Sequence, residues 1–518
     1  MRLLCFVDMM THKQKKAIVI GAGIGGIATA IRLQIQGWQV AIYEANDYPG
    51  GKLSELRFDG YRFDAGPSLF TLPQLVDELF ELAGKKPTES FQYEALPVIT
   101  RYFYPDNTII NAYRDPDEFA AEVAAKTDER RETVAKLLRK SETLYEITHH
   151  VFLERSLHRL ATYLRWGTIK SILLLYKLDA FRTMEQANAQ HFDDPRVAQL
   201  FNRYATYNGS DPHQAPATLN IIPHLEHNIG AFFPREGMFQ ITKSLVGLAK
   251  SLGVELYLGH AVERILVEGQ TAKGIQVKGQ NIAADLVVSD ADIVPTYRRL
   301  MPEQAEPVRT LEQARSSSAL IFYWGMNRSF EALDVHNIFF SADYQAEFQQ
   351  IWQEQSLSHD PTVYLYVSSK RNPEDAPEGC ENWFTMINVP ANQGQDWDHL
   401  IQQARQDIIN KLSEMLGVDV AAHIASERVL EPRTIESKTS SYQGALYGNS
   451  SNNKFAAFLR HPNFSSKIKG LYFCGGSVHP GGGIPLCLLS AKITADLVAQ
   501  REMKPFSKPT SDSVANPV

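Results

Sequence analysis

Lys16–Gly26 reads KAIVIGAGIGG, and the reading of the whole chain starts there. Ala17–Ile20 is a short β-branched run of the kind buried on both faces of a parallel sheet. Gly21, Gly23 and Gly26 follow with the spacing G-x-G-x-x-G. The first permits the tight turn, the second lets the backbone approach a pyrophosphate, and the third lets the next helix pack on the strand. The pattern predicts a helix over Ile24–Gln36, its positive N-terminal end aimed at phosphates. Trp38–Glu44, WQVAIYE, reads as the second strand. It ends in Glu44, 18 residues beyond Gly26, where a ribose-binding carboxylate belongs. A glycine triplet alone would also fit an unliganded α/β turn. Strand, glycines, helix, strand and acid in register point to a dinucleotide site.

Composition sets the frame around this motif. The chain has 518 residues, which at ~100–200 residues per domain means two to four domains. Hydrophobic residues make up 44% and charged residues 21%, a globular balance that excludes a disordered or collagenous chain. The net charge is −7 with no long basic run, so no nucleic-acid partner is expected. Cys5, Cys380, Cys474 and Cys487 form no CxxC, and no Cys/His cluster has zinc-ligand spacing. A reducing compartment, no disulfide framework and no metal follow as expectations. No run of ~18 apolar residues spans a bilayer. Residues 1–13 and 503–518 read as flexible termini. No nucleophile elbow, HExxH or Walker A is present.

Two further stretches identify the kind of dinucleotide. After Glu44 come Gly50-Gly51-Lys52, then FDGYRFDAGPSLF with Gly66 and Pro67. Near the other end, residues 470–498 read GLYFCGGSVHPGGGIPLCLLSAKITADLV: a strand Leu471–Cys474, two glycine loops and a helix Leu486–Ala499. A glycine loop at a helix N-terminus suits an anion or a ring edge. Together these segments resemble the FAD-binding amine-oxidase and carotenoid-desaturase superfamily, and HPGGGIP before S-A-K closely resembles the carotenoid-desaturase signature.

The resemblance implies an α/β (α+β overall) chain. Its FAD-binding domain would be discontinuous and Rossmann-like, of the amine-oxidase/glutathione-reductase type, formed by residues 14–75, 232–295 and 440–502. It implies that Gly51 and Lys52 approach the ribityl-diphosphate and that Gly66-Pro67 lie near the isoalloxazine. Val262 would meet the adenine through its backbone, Gly475 the diphosphate, and Gly482, Ile484 and Pro485 the flavin ring. Residues 76–116 and 296–439 would form a mixed-sheet substrate domain, and 117–231 a helical, membrane-facing insert. The strands expected in the sheet are Ser316–Asn327, Thr362–Ser369 and Glu381–Pro390, followed by a helix over Trp397–Leu416. Phe232, Phe233, Phe322, Tyr323 and Trp324 are candidate walls of an apolar tunnel, with Phe233 and Tyr323 named as substrate contacts.

Within the insert, Arg155–Lys177 carries five basic residues and no acid among Leu, Ile, Trp and Tyr. That suits an interfacial helix on an anionic leaflet, making the protein cytoplasmic and peripherally membrane-associated. The alternative is a core helix with a basic solvated face. Oligomeric state has no signature in the chain.

The chemistry implied is flavin chemistry: hydride leaves an allylic C–H of a membrane-dissolved carotenoid for N5, and the neighbouring carbon loses a proton. His479 is a candidate base, or else a loop-packing histidine. Some bacterial desaturases of the family use acidic and basic side chains of the insert near the flavin; here it offers Arg155, His158 and Arg159 but no obvious aspartate for that role. Lys52 and GPSLFT are most like the 1-hydroxycarotenoid 3,4-desaturase branch. Alternatives are a phytoene desaturase, another flavin (amine) oxidase, and a non-enzymatic prenyl-binding protein of GDP-dissociation-inhibitor type. The last generally lacks the complete glycine pattern and ribose acid retained here. Cys474 lies inside a strand, which argues against a covalent flavin.

Overall fold

The structure is a computed structural model that describes residues 14–159, 162, 179, 181–453 and 460–502. Its first layer is a five-stranded parallel sheet, in the order Leu471–Phe473, Leu286–Ser289, Lys16–Ile20, Gln39–Tyr43 and Glu255–Tyr257. The strands are continuous in apolar residues because both faces are covered. Ala17 and Val19 point into a core shared with the helices Ile24–Ile35, Phe239–Ser251 and Ile484–Glu502. Ile18 and Ile20 point the other way, into a second core with Ile265, Ile275 and Tyr297. This alternation is the period of two that a pleated strand imposes. An antiparallel ribbon of three strands, Val262–Glu268, Thr271–Val277 and Gln280–Ala283, covers that second face.

The second layer is a seven-stranded mixed sheet. Its order is Ile424–Leu430, Ser318–Met326, Glu381–Val389, Val363–Tyr366, His336–Phe339, Val98–Phe103 and Ile109–Tyr113. Only the pair His336–Phe339 with Val98–Phe103 is parallel. The pleat corrects one expectation. Phe322 and Trp324 pack against the helix Trp397–Leu416 on the outer face, whereas Tyr323 between them faces inward. Consecutive strand residues cannot share a face, so these three cannot line one tunnel wall.

A layer of helices lies over the inner face of this sheet. Its members include Arg131–Phe152, Pro195–Asn202 and a π-helical turn, His224–Ile229. Most of the basic run Arg155–Lys177 falls outside the described residues. No helix among the described residues is long and apolar enough to cross a membrane.

Candidate functional site

Three chain segments converge where the parallel sheet ends. Gly21 sits at φ +95°, open to glycine only, and its N–H donates to the Tyr43 carbonyl (2.8 Å). A Cβ at Gly26 would stand 2.3 Å from the Gly21 carbonyl oxygen, so the helix can approach the strand only with glycine there. Asp290, one residue beyond the strand Leu286–Ser289, presses its carboxyl between the other glycines. A Cβ on Gly23 or Gly475 would lie 2.5 or 2.3 Å from its oxygens. Burial raises Asp290 to about 7, against the N–H groups of Gly26 and Gly23, which favour its charged form. Asp290 was not singled out in the sequence; the only signal was its place at the end of the apolar run LVVS.

The acid at the end of the second strand is in place. Glu44 Oε2 accepts from the Ala22 N–H (2.7 Å), and Oε1 accepts from the Asn46 N–H (2.8 Å) and Asn46 Nδ2 (2.9 Å). Gly50 donates to the Ala22 carbonyl (2.7 Å), which draws Gly51 beside the glycine turn. Lys52 is not a solvated surface lysine. Its Nζ donates to the carbonyls of Leu446 (2.9 Å) and Ala445 (3.3 Å), and burial pulls its pKa down. Gly66 packs so closely on the Lys52 carbonyl that a Cβ would overlap it at 1.8 Å. Gly482 abuts Tyr447, and Ile484 and Pro485 open the C-terminal helix.

One cavity of about 1300 Å³ unites these groups. Gly21, Gly23, Glu44, Gly51, Lys52, Gly66, Pro67, Val262, Gly475, Gly482, Ile484 and Pro485 all line it, and Gly26 lies behind its wall. The volume exceeds the ~300–1,000 Å³ of a usual single-ligand pocket. The far half of the cavity is walled by Ile321, Tyr323, Phe384 and Met386 from the sheet and by Leu219 and Ile222 from the helical layer. Tyr323 donates its hydroxyl to the Ala65 carbonyl (2.7 Å). Phe233 is buried in the neighbouring core and is not on the cavity wall.

The basic candidates fare differently. His479 lines the cavity, but its Nε2–H donates to the Arg155 carbonyl (2.8 Å), and burial pushes its pKa down to about 3. A histidine so reluctant to take a proton is a poor base near neutrality. Its bond instead ties the insert to the C-terminal glycine loop. His158 packs edge-on against it, Arg159 bonds the Gln500 side chain, and Arg155, His158 and Arg159 are not on the cavity wall.

Sequence reasoning missed two polar groups on the cavity wall. The first is a buried ion pair, Arg203 with Glu226 (3.1 Å), bonded to the hydroxyls of Tyr102, Tyr204 and Tyr207. Burial works to raise Glu226, but the Arg203 charge, His227 and the tyrosine hydroxyls leave it lowered. The second is a chain of three: Ser68 Oγ to Tyr364 OH (2.7 Å), and Tyr364 OH to His336 Nδ1 (2.8 Å). Away from the cavity, His149, His150 and Glu154 bring three ligand-type atoms within 4.8 Å of one another. His149 and His150 are adjacent and Glu154 follows four residues after His150, beyond the helix end at Phe152, a spacing that is no Cys/His motif.

The fold and the glycine-lined cavity define a flavin-dependent oxidoreductase. Residues 24–499 match the flavin-containing amine oxidoreductase family, and the chain belongs to it. The residues present fit FAD: backbone cradles that a Cβ would fill, an acid at the second strand, and a helix opening on the glycine loop. The chain is 50% identical over 484 residues to a 1-hydroxycarotenoid 3,4-desaturase from a Flavobacterium species, covering 93% of this chain and 99% of the relative. It is 31% identical to a 4,4'-diapolycopene oxygenase from a Methylomonas species, covering 95% and 99%. Cyclohexylamine oxidase from Brevibacterium oxydans shares the fold, with a TM-score of 0.59 at 15% identity over 95% of this chain and 100% of that one. The expected carotenoid-desaturase resemblance and FAD cofactor stand on these findings.

Proposed function

We propose that this enzyme desaturates a carotenoid, and that its substrate is a 1-hydroxycarotenoid dehydrogenated between carbons 3 and 4. One observation carries the reading: a single cavity joins the dinucleotide-binding glycines to a wall of Ile321, Phe384 and Met386. The relative at 50% identity, itself named a 1-hydroxycarotenoid 3,4-desaturase, supports the substrate class. Bound FAD supplies the hydride acceptor. The chain's own part is to hold a flat polyene in register and to keep water from the carbon that develops positive charge. An allylic C–H gives up hydride, the adjacent carbon gives up a proton, and the two remaining electrons form the new double bond. That proton is acidic once charge develops, so the reaction does not call on a strong base. This agrees with the proton-averse His479.

So apolar a substrate reaches the cavity from a bilayer. We assign the contact to the basic, apolar run beginning at Arg155, which makes the enzyme a peripheral membrane protein. The test is absorption spectroscopy of FAD-loaded protein with liposomes carrying phytoene or a hydroxylated γ-carotene. A red shift with the hydroxylated carotenoid alone is expected. Colour from phytoene would overturn the substrate in favour of an early desaturase, and no shift from a yellow protein would overturn carotenoid desaturation.

A further inference from the structure

Ser68, Tyr364 and His336 interrupt an apolar wall. The three come from a loop and two strands, and the cavity touches each of them. Their bonds to one another leave capacity over. A tyrosine hydroxyl has one donor and two acceptor positions, so Tyr364 keeps one position free, donor or acceptor according to the direction of its bonds, after bonding Ser68 and His336. Ser68 uses its hydroxyl on Tyr364 alone among the described residues. His336 Nε2 is buried and has no hydrogen-bond partner among the described residues. A buried polar atom left in that state is costly unless something bonds it. Burial pushes His336 down to about 4, so near neutrality the ring is uncharged, with one nitrogen donating and the other accepting. Which nitrogen donates depends on the direction of the Tyr364 bond. An alcohol answers either arrangement, because it donates and accepts at one atom. A carboxylate or an ammonium answers only one.

The place of the chain along the cavity also matters. Ser68 directly follows Pro67, in the loop whose Gly66 packs on the Lys52 carbonyl, so the trio begins beside the glycine-lined half. In a 1-hydroxycarotenoid the oxygen sits on carbon 1, two bonds from carbon 3. At ordinary bond lengths that puts it roughly 4–5 Å from the 3,4-bond. A group that reads this hydroxyl must therefore lie close to the reacting end, and Ser68 is the residue next to Gly66-Pro67 on the cavity wall.

Resting on the function proposed above, we infer that the Ser68–Tyr364–His336 chain receives the tertiary hydroxyl of the substrate and sets which carbon–carbon bond is presented for oxidation. These are positioning and specificity residues; the chemistry needs none of them. The test compares a hydroxylated γ-carotene with γ-carotene itself, in binding and in turnover, on FAD-loaded wild type, Tyr364→Phe and Ser68→Ala. Wild type is expected to prefer the hydroxylated carotenoid. Each variant should lose about tenfold of affinity for it while binding γ-carotene as before, so that the preference collapses. The position of the new double bond, read by mass spectrometry, should also spread. Ser68→Ala reads the same bond should Tyr364→Phe fold poorly, and flavin content checks both. Full retention of the preference in both variants would overturn the docking role alone. A wild type that leaves the hydroxylated carotenoid unoxidised would overturn the function and this inference with it.

Discussion

Asp290 is the group through which pH reaches the cofactor half of the cavity, and replacing it with asparagine exposes the effect. Burial lifts its carboxyl from 3.8 to about 7, roughly three units. The folded protein therefore holds a proton that the unfolded chain has released. Stability changes with pH in proportion to the protons bound by the unfolded state less those bound by the folded state, which is negative here. The contribution is fully present below pH ~4 and is lost as pH rises through about 7. At 1.36 kcal/mol per unit, the part lost between pH 5 and pH 8 comes to about 3 kcal/mol. Asparagine has the shape and neutrality of the protonated acid. Asp290→Asn apoprotein should then match wild type below pH ~4, exceed it by about 1.5 kcal/mol at pH 5 and exceed it by about 4 kcal/mol at pH 8. The assay is urea unfolding followed by tryptophan emission at several pH values. Buried histidines such as His336 and His479 titrate in both proteins and cancel in the difference. Two stability curves that run parallel from pH 5 to pH 8 would refute the reasoning. FAD titrations should follow the same proton, with affinity falling as pH rises in wild type and level in the variant.

Glu44→Ala should weaken FAD binding by about 10- to 100-fold in a flavin-fluorescence titration, because the acceptor expected for the ribose hydroxyls goes together with the bonds that hold the Ala22 and Asn46 N–H groups; affinity equal to wild type would count against the ribose assignment. Arg203→Met strands the Glu226 carboxylate without its cation, and thermal or urea unfolding should report a loss of about 3–5 kcal/mol, largely restored by adding Glu226→Gln. Reversing charge with Arg159→Glu and Arg165→Glu should lower co-sedimentation with anionic vesicles; undiminished binding would retire the membrane contact proposed for that run.

Local chemistry is what made much of this molecule legible. The helix Trp397–Leu416 matches its expected bounds to the residue. It has its stops written in the chain: Asp396 caps the His399 N–H, and Gly417 takes the left-handed turn at φ +66°. The glycine turn was legible for the same reason, since Gly21 and Gly26 answer constraints within a few residues of themselves. What could not be read is what only folding assembles. Ser68 and Tyr364 are 296 positions apart, and Tyr364 and His336 are 28 apart on different strands. Neither spacing is a motif. Asp290 carries the point furthest. In isolation it is an ordinary aspartate after a strand. Its pKa is pushed up to about 7 only because folding brings the backbones of Gly23, Gly26 and Gly475 against it from two distant segments. Motifs record where a backbone must be bare. The acidity of a side chain enclosed by that bareness is a property of the convergence, and it is there that the chemistry of this cavity is set.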